Sequence, residues 1–188
     1  MKLDQTIPNH LRALGLAFMF QGRRARASTL SAALAEIVSE HGTIPSAYRA
    51  VLETFGSAPS AFEHEVVFDA PDIGQLSPEV LFGLAGERSL LHELRDARLN
   101  GLPSRLLPIA EDGAGSLFCL SSEDGVVYWD HGKVHKIAPS VESFLLGLKI
   151  DPSQNKVVDV SKAVVELRME PPPLESIRGR LRNRKRKS

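Results

Sequence analysis

Apolar positions in this chain recur with helical spacing in its first half and as short strand-like runs in its second. From Ser28 onward, Leu30, Ala33, Leu34, Ile37, Val38 and His41 fall on one face of a helix that Gly42 stops. Ile44-Pro45-Ser46 opens a second helix, with Tyr48, Val51, Leu52 and Phe55 on one face and Gly56 at its end. The short link predicts that these two helices pack as a hairpin. Ahead of them, residues 9–20 read as a short helix with Asn9 as its cap.

Glu65-Val66-Val67-Phe68 predicts a strand, followed by a turn-rich stretch. Ser77-Pro78-Glu79 has the order of a cap, a first helical position and a first-turn acid. Gly83 and Gly86 break that segment. Leu90, Leu91 and Leu94 then define a helix ending at Asn100-Gly101.

The pattern is clearest over residues 104–148. Leu106 to Ala110 reads as a strand in which Pro108 calls for an edge or a bulge. Ser116 to Leu120, Val126 to Asp130 and Lys133 to Ile137 are further strands. Between them lie the turn signals Glu111-Asp112-Gly113-Ala114-Gly115, Glu123-Asp124-Gly125 and His131-Gly132. Pro139 starts a helix with Val141, Phe144, Leu145 and Leu148 at positions i, i+3, i+4 and i+7. The fold class that follows is α+β, mainly an antiparallel meander with helices packed against one face. Beyond Lys149 the pattern loosens. Residues 157–169 suit a short strand or helix, Pro171-Pro172-Pro173 suits neither, and the basic end reads as disordered.

Composition changes this picture only modestly. The 188 residues are 43% hydrophobic and 24% charged, which is ordinary for a globular chain. The single cysteine, Cys119, excludes an internal disulfide and fits a reducing compartment. Its apolar neighbours predict a buried, inert thiol. No apolar run approaches a membrane span. Arg23, Arg24 and Arg26 follow the apolar run 13–20 where a secretory signal carries no charge, so a cytoplasmic protein is expected.

Charge is more informative. The formal net charge is zero, from 23 cations and 23 acids. Five cations lie in residues 1–26 beside Asp4, and seven more lie between Arg178 and Lys187 with no acid among them. Residues 27–177 therefore keep 11 cations against 22 acids, a body of about −11 between basic ends. Three readings of the tail at 178–187 stay open: contact with nucleic acid or a membrane surface, folding onto the acidic body, or solubility alone. It lacks the interleaved aromatics that stack on single-stranded bases.

Chemistry is hard to find. No Gly-x-Ser-x-Gly, Walker loop, His-Glu-x-x-His or Cys-x-x-Cys occurs. His131 and His135 have i, i+4 spacing, which converges on a metal only in a helix, and these two flank a turn. Asp112-Gly113-Ala114-Gly115 precedes a strand rather than a helix, so a tight turn explains it better than a phosphate cradle. Asp130-His131 has no nucleophile near it in sequence. No catalytic residue, metal ligand or cofactor is expected.

The motifs of residues 104–148 resemble the SUKH superfamily. The resemblance is carried by Pro108-Ile109-Ala110, Asp112, Gly113, Gly115, Phe118, Leu120, Val127, Asp130, His131, Ala138, Ser140 and Phe144, in order and spacing, with Pro45 and Tyr48 upstream. Ser116 stands where the family often has Asn, and Leu145-Leu146 replaces an aromatic-acid pair. The likeness divides the chain into an extension at 1–28, a SUKH-like domain at 29–149 and a second extension at 150–188.

That superfamily includes bacterial immunity proteins of toxin systems and fungal cell-wall regulators, so the resemblance implies binding rather than catalysis. The implied partner is a basic toxin domain of nuclease or deaminase type. The alternatives are a regulatory or scaffold protein of the same fold, or a nucleic-acid-associated protein acting through 178–187. An acidic body steers basic partners toward itself. Glu111, Asp112, Glu123, Asp124 and Asp130, at predicted turns, are the candidate contacts. Pro45, Tyr48, Pro108, Gly113, Gly115, Phe118, Trp129, His131 and Phe144 are expected to be mainly structural. Oligomeric state stays open.

Overall fold

The computed structural model describes residues 3–18, 26–86, 88–122 and 125–155. Glu123, Asp124, residues 157–169, Pro171–Pro173 and the tail at 178–187 lie outside the described residues. The described residues, all within 1–155, form one compact unit.

The helices are α1 (Leu3–Ala13), α2 (Ala27–His41), α3 (Ser46–Phe55), α4 (Leu90–Leu99) and α5 (Val141–Gly147). The strands are β1 (Leu16–Phe18), β2 (Ser60–Phe62), β3 (Val66–Ala70), β4 (Gly74–Leu76), β5 (Val80–Leu81), β6 (Leu107–Glu111), β7 (Leu117–Leu120), β8 (Val126–Asp130), β9 (Lys133–Ala138) and β10 (Lys149–Ile150). Seven strands form one antiparallel sheet in the order β1-β2-β5-β6-β7-β8-β9, and β10-β3-β4 form a second, smaller one. The architecture is α+β, as the pattern predicts.

The meander β6 to β9 follows the predicted spans within a residue. Pro108 lies inside the sheet, and the β6–β7 register slips between Pro108 and Ala110. The bulge tolerates a residue with no N–H to give the ladder. The His131-Gly132 turn joins β8 to β9 with both residues at positive φ, 44° and 103°. A two-residue turn of that hand matches the twist of the strands it joins.

Side chains alternate across the sheet. Phe118 and Tyr128 face one side, with ring centroids 5.3 Å apart, and α5 covers them through Phe144, 5.4 Å from Phe118. Phe68 of the small sheet continues the stack, 5.1 Å from Phe144. Helices α1, α3 and α5 group on this side. Leu117 and Trp129 pair across the strands on the other side, where α4 lies. Ion pairs from Arg95 to Glu36 and Glu40 tie α4 to α2.

Three local expectations change. The first helix spans Leu3–Ala13 rather than 9–20, because Ile7, Leu11 and Leu14 form its buried stripe and Gly15, at φ 79°, ends it. The apolar residues after it become the edge strand β1, paired with β2. Helix α3 packs against α1 rather than forming a hairpin with α2, whose one fully buried side chain is Ile37. Ser77-Pro78-Glu79 leads into β5, not a helix. The Ser77 hydroxyl donates to the Val66 carbonyl at 2.9 Å, and the Glu79 N–H donates to the Glu111 carbonyl at 2.9 Å. Tertiary bonding outweighs local helix signals there.

Candidate functional site: an acidic sheet end and its groove

The antiparallel registers gather several turns at one end of the main sheet. The end of β2, the start of β5, the β6–β7 turn and the β8–β9 turn are neighbours there. Glu63, Glu79, Glu111, Asp112 and Asp130 accordingly share one edge, with Lys133 beside Asp130. Leu120 of β7 and Val126 of β8 pair at the opposite end. Of the five predicted contact acids, Glu111, Asp112 and Asp130 are thus brought together.

Each of these three has a local task. Asp112 Oδ1 accepts the N–H groups of Ala114 and Ser116, both at 2.9 Å, which closes the β6–β7 turn. Its Oδ2 accepts the Tyr128 hydroxyl at 2.5 Å. Burial, then that bond, raises the phenol above its ordinary pKa. Asp130 Oδ1 accepts the Ser116 hydroxyl at 3.4 Å. Gly113 lies beneath the Glu79 carboxylate, and Gly115 adopts φ 84°. Glu111 pairs with Arg88, whose Nε also donates to Glu93 at 3.1 Å. The hydrogen bond to Glu111, ahead of the other causes, raises the Arg88 guanidinium further.

A groove of about 480 Å³ opens between α4 and this end of the sheet. Glu93, Asp96 and Asn100 form its helix wall, with Glu111, Trp129 and His131 opposite. Glu93, Asp96, Ala97 and Asn100 are one face of α4, set by i, i+3, i+4 and i+7 spacing. Ser89 caps that helix by accepting the His92 N–H. Trp129 is 5% exposed, and its indole Nε1 has no hydrogen-bond partner among the described residues. His131 lies 6.2 Å from Trp129, ring to ring. A second groove, of about 460 Å³, lies near the end of β2 and is lined by Glu63, Glu65, Ser77 and Glu79 among others.

The remaining predicted positions fall as follows. Pro45 is the N-cap of α3, and Tyr48 is wholly buried on that helix. Burial raises the Tyr48 phenol well above its ordinary pKa. Phe118 and Phe144 are buried at the centre of the core. Cys119 is buried, and burial likewise raises its thiol. Among the described residues, no three His, Cys, Asp or Glu side chains converge as a metal site requires. No helix among them is long and apolar enough to cross a membrane.

Residues 30–147 match the SMI1 / KNR4 family (SUKH-1). The chain belongs to that family. A search of the curated proteins returns no match. The matched stretch contains the meander, α3, α4, α5 and nearly all of α2, and so the whole acidic sheet end. Helix α1 and strand β1 lie outside it, yet Ile7, Leu11, Leu14 and Leu16 are buried in the same core. Family membership is consistent with toxin-immunity or Smi1/Knr4-type regulatory roles.

Proposed function

We propose that this chain is a non-catalytic protein-binding protein, an immunity protein that neutralises a basic toxin domain of nuclease or deaminase type in the cytoplasm. The observation that carries the reading is the gathering of Glu63, Glu79, Glu111, Asp112 and Asp130 at one sheet end. Enzymes that act on polyanions carry positive active-site surfaces, and an acidic face opposes them directly. Long-range attraction then speeds encounter, while the desolvated centre of the interface sets residence time. Rigid turns suit this work: Asp112 and the His131-Gly132 hairpin hold the edge in one shape before a partner arrives, which lowers the ordering cost of binding.

The test is co-expression with the carboxy-terminal domain encoded by the neighbouring reading frame, scored by growth. The expected outcome is rescue of growth, with a complex that survives deletion of residues 178–188. Failure to rescue together with no complex contradicts the proposal. Binding to random duplex DNA that disappears with the tail would instead support the nucleic-acid reading.

A further inference from the structure

We infer that strand β9 is the pairing edge of a homodimer: two copies join antiparallel through Val134, and their main sheets become one continuous sheet.

The first observation is an open ladder. β9 is the last strand of the main sheet, bonded to β8 on one side only among the described residues. The His131-Gly132 turn makes Asp130 and Lys133 the first bonded pair of that hairpin, and bonded pairs alternate along an antiparallel ladder. Lys133 and His135 therefore bond inward, to β8. Val134 turns its N–H and its carbonyl to the outer side, where neither has a partner among the described residues. The open stretch is Lys133 to Lys136, since Ile137 and Ala138 are buried.

The second observation is an unfinished apolar row. Leu117, Trp129 and Val134 stand directly opposite one another across β7, β8 and β9. Leu117 and Trp129 are buried, but Val134 at the edge is 40% exposed. The residue with spare ladder groups is thus the one with spare apolar surface. A strand that placed an apolar side chain opposite it would complete both.

Charge selects the occupant. Lys133 and Lys136 flank Val134, so this edge repels the basic partner of the acidic sheet end. The whole chain carries 23 cations and 23 acids, a formal net charge of zero, and copies without net charge associate most readily. The register then favours self-pairing centred on Val134. Val134 meets Val134 of the second copy, the two exchange both hydrogen bonds of the pair, and the apolar row runs on from one Trp129 to the other. Lys133, with Asp130 beside it, faces His135 of the second copy, and Lys136 faces Gly132. No lysine faces a lysine. Centring on Lys136 instead would oppose two like charges, which is how edge lysines exclude wrong pairings. The antiparallel arrangement points the two acidic sheet ends in opposite directions, so a dimer offers both.

Sedimentation equilibrium of the full-length protein, from micromolar to millimolar concentration, tests this. The expected result is a mass that rises from 20.5 kDa toward twice that value. The dimer should persist in about 1 M salt, where charges more than about 3 Å apart are screened. Val134→Pro deletes the outward N–H and keeps the inward bonds of Lys133 and His135. It should weaken the dimer about fivefold or more, because both bonds of the central pair are lost. Val134→Lys sets like charges opposite and should weaken it comparably, which keeps the test decisive if the proline variant misfolds. Trp129 fluorescence reports folding of each variant. Leu99→Lys, at an apolar side chain 86% exposed on α4, should change nothing. A mass of 20.5 kDa at every concentration overturns the inference. So does a dimer that both Val134 variants leave intact, or one that salt dissolves.

Discussion

Phe118→Ala should destabilise the protein by about 3–5 kcal/mol, the range for deleting a fully buried aromatic side chain. The ring sits at the junction of the two sheets and α5. It is 0% exposed, packed edge-on against Tyr128 and stacked near Phe144, which in turn meets Phe68. The chain cannot collapse easily into the vacated space, because β7 is hydrogen-bonded on both sides, to β6 and β8. Urea denaturation monitored by Trp129 fluorescence measures the loss. A cost under about 1.5 kcal/mol, the range of volume-conserving core swaps, would mean that this ring does not anchor the packing of β7 against α5. Phe118→Leu keeps most of the volume and should lose much less.

Gly83→Ala is the second large effect, at about 3 kcal/mol. A Cβ there would collide with the backbone carbonyl of Ala58 and stand 3.0 Å from the Pro59 nitrogen. Neither atom belongs to a flexible side chain. Relief requires moving the chain that joins β5 to α4, where the Leu84 N–H donates to Gly56 and the Leu90 N–H to the Gly83 carbonyl, both at 2.7 Å. Gly113→Ala supplies the contrast. Its Cβ would meet only the Glu79 carboxylate, the far end of a side chain that can swing away. Thermal unfolding of the two variants should differ by several degrees, with Gly83→Ala the lower. Equal melting temperatures would show that the β5–α4 connection yields freely.

The meander was legible because its signals are local. Alternating apolar runs, Asp112-Gly113 and His131-Gly132 each specify their own geometry, and the structure realises them within a residue. Ser77-Pro78-Glu79 shows the opposite case: every local cue favours a helix start, but the Ser77 hydroxyl and the Glu79 N–H find partners across the sheet. The helix expected over residues 9–20 instead spans Leu3–Ala13, because the buried residues Ile7, Leu11 and Leu14 keep helical spacing across Pro8.

The site divides the same way. Glu111, Asp112 and Asp130 were visible as turn acids. Glu63 and Glu79 join them only through strand order, since β2 and β5 reach this end by non-local pairing. The helix wall of Glu93, Asp96 and Asn100 has a readable period, but nothing in the sequence says that this face looks onto Trp129. That the Trp129 indole Nε1 has no hydrogen-bond partner among the described residues is visible only in three dimensions.

Amide hydrogen exchange of this chain, with and without the basic toxin domain proposed as its partner, tests the central claim most directly. The account predicts new protection at residues 62–65, 77–80, 111–116 and 130–133, fading as salt rises. Protection confined to α2 and α3, or to the opposite sheet end at residues 120–122 and 125–126, would contradict it.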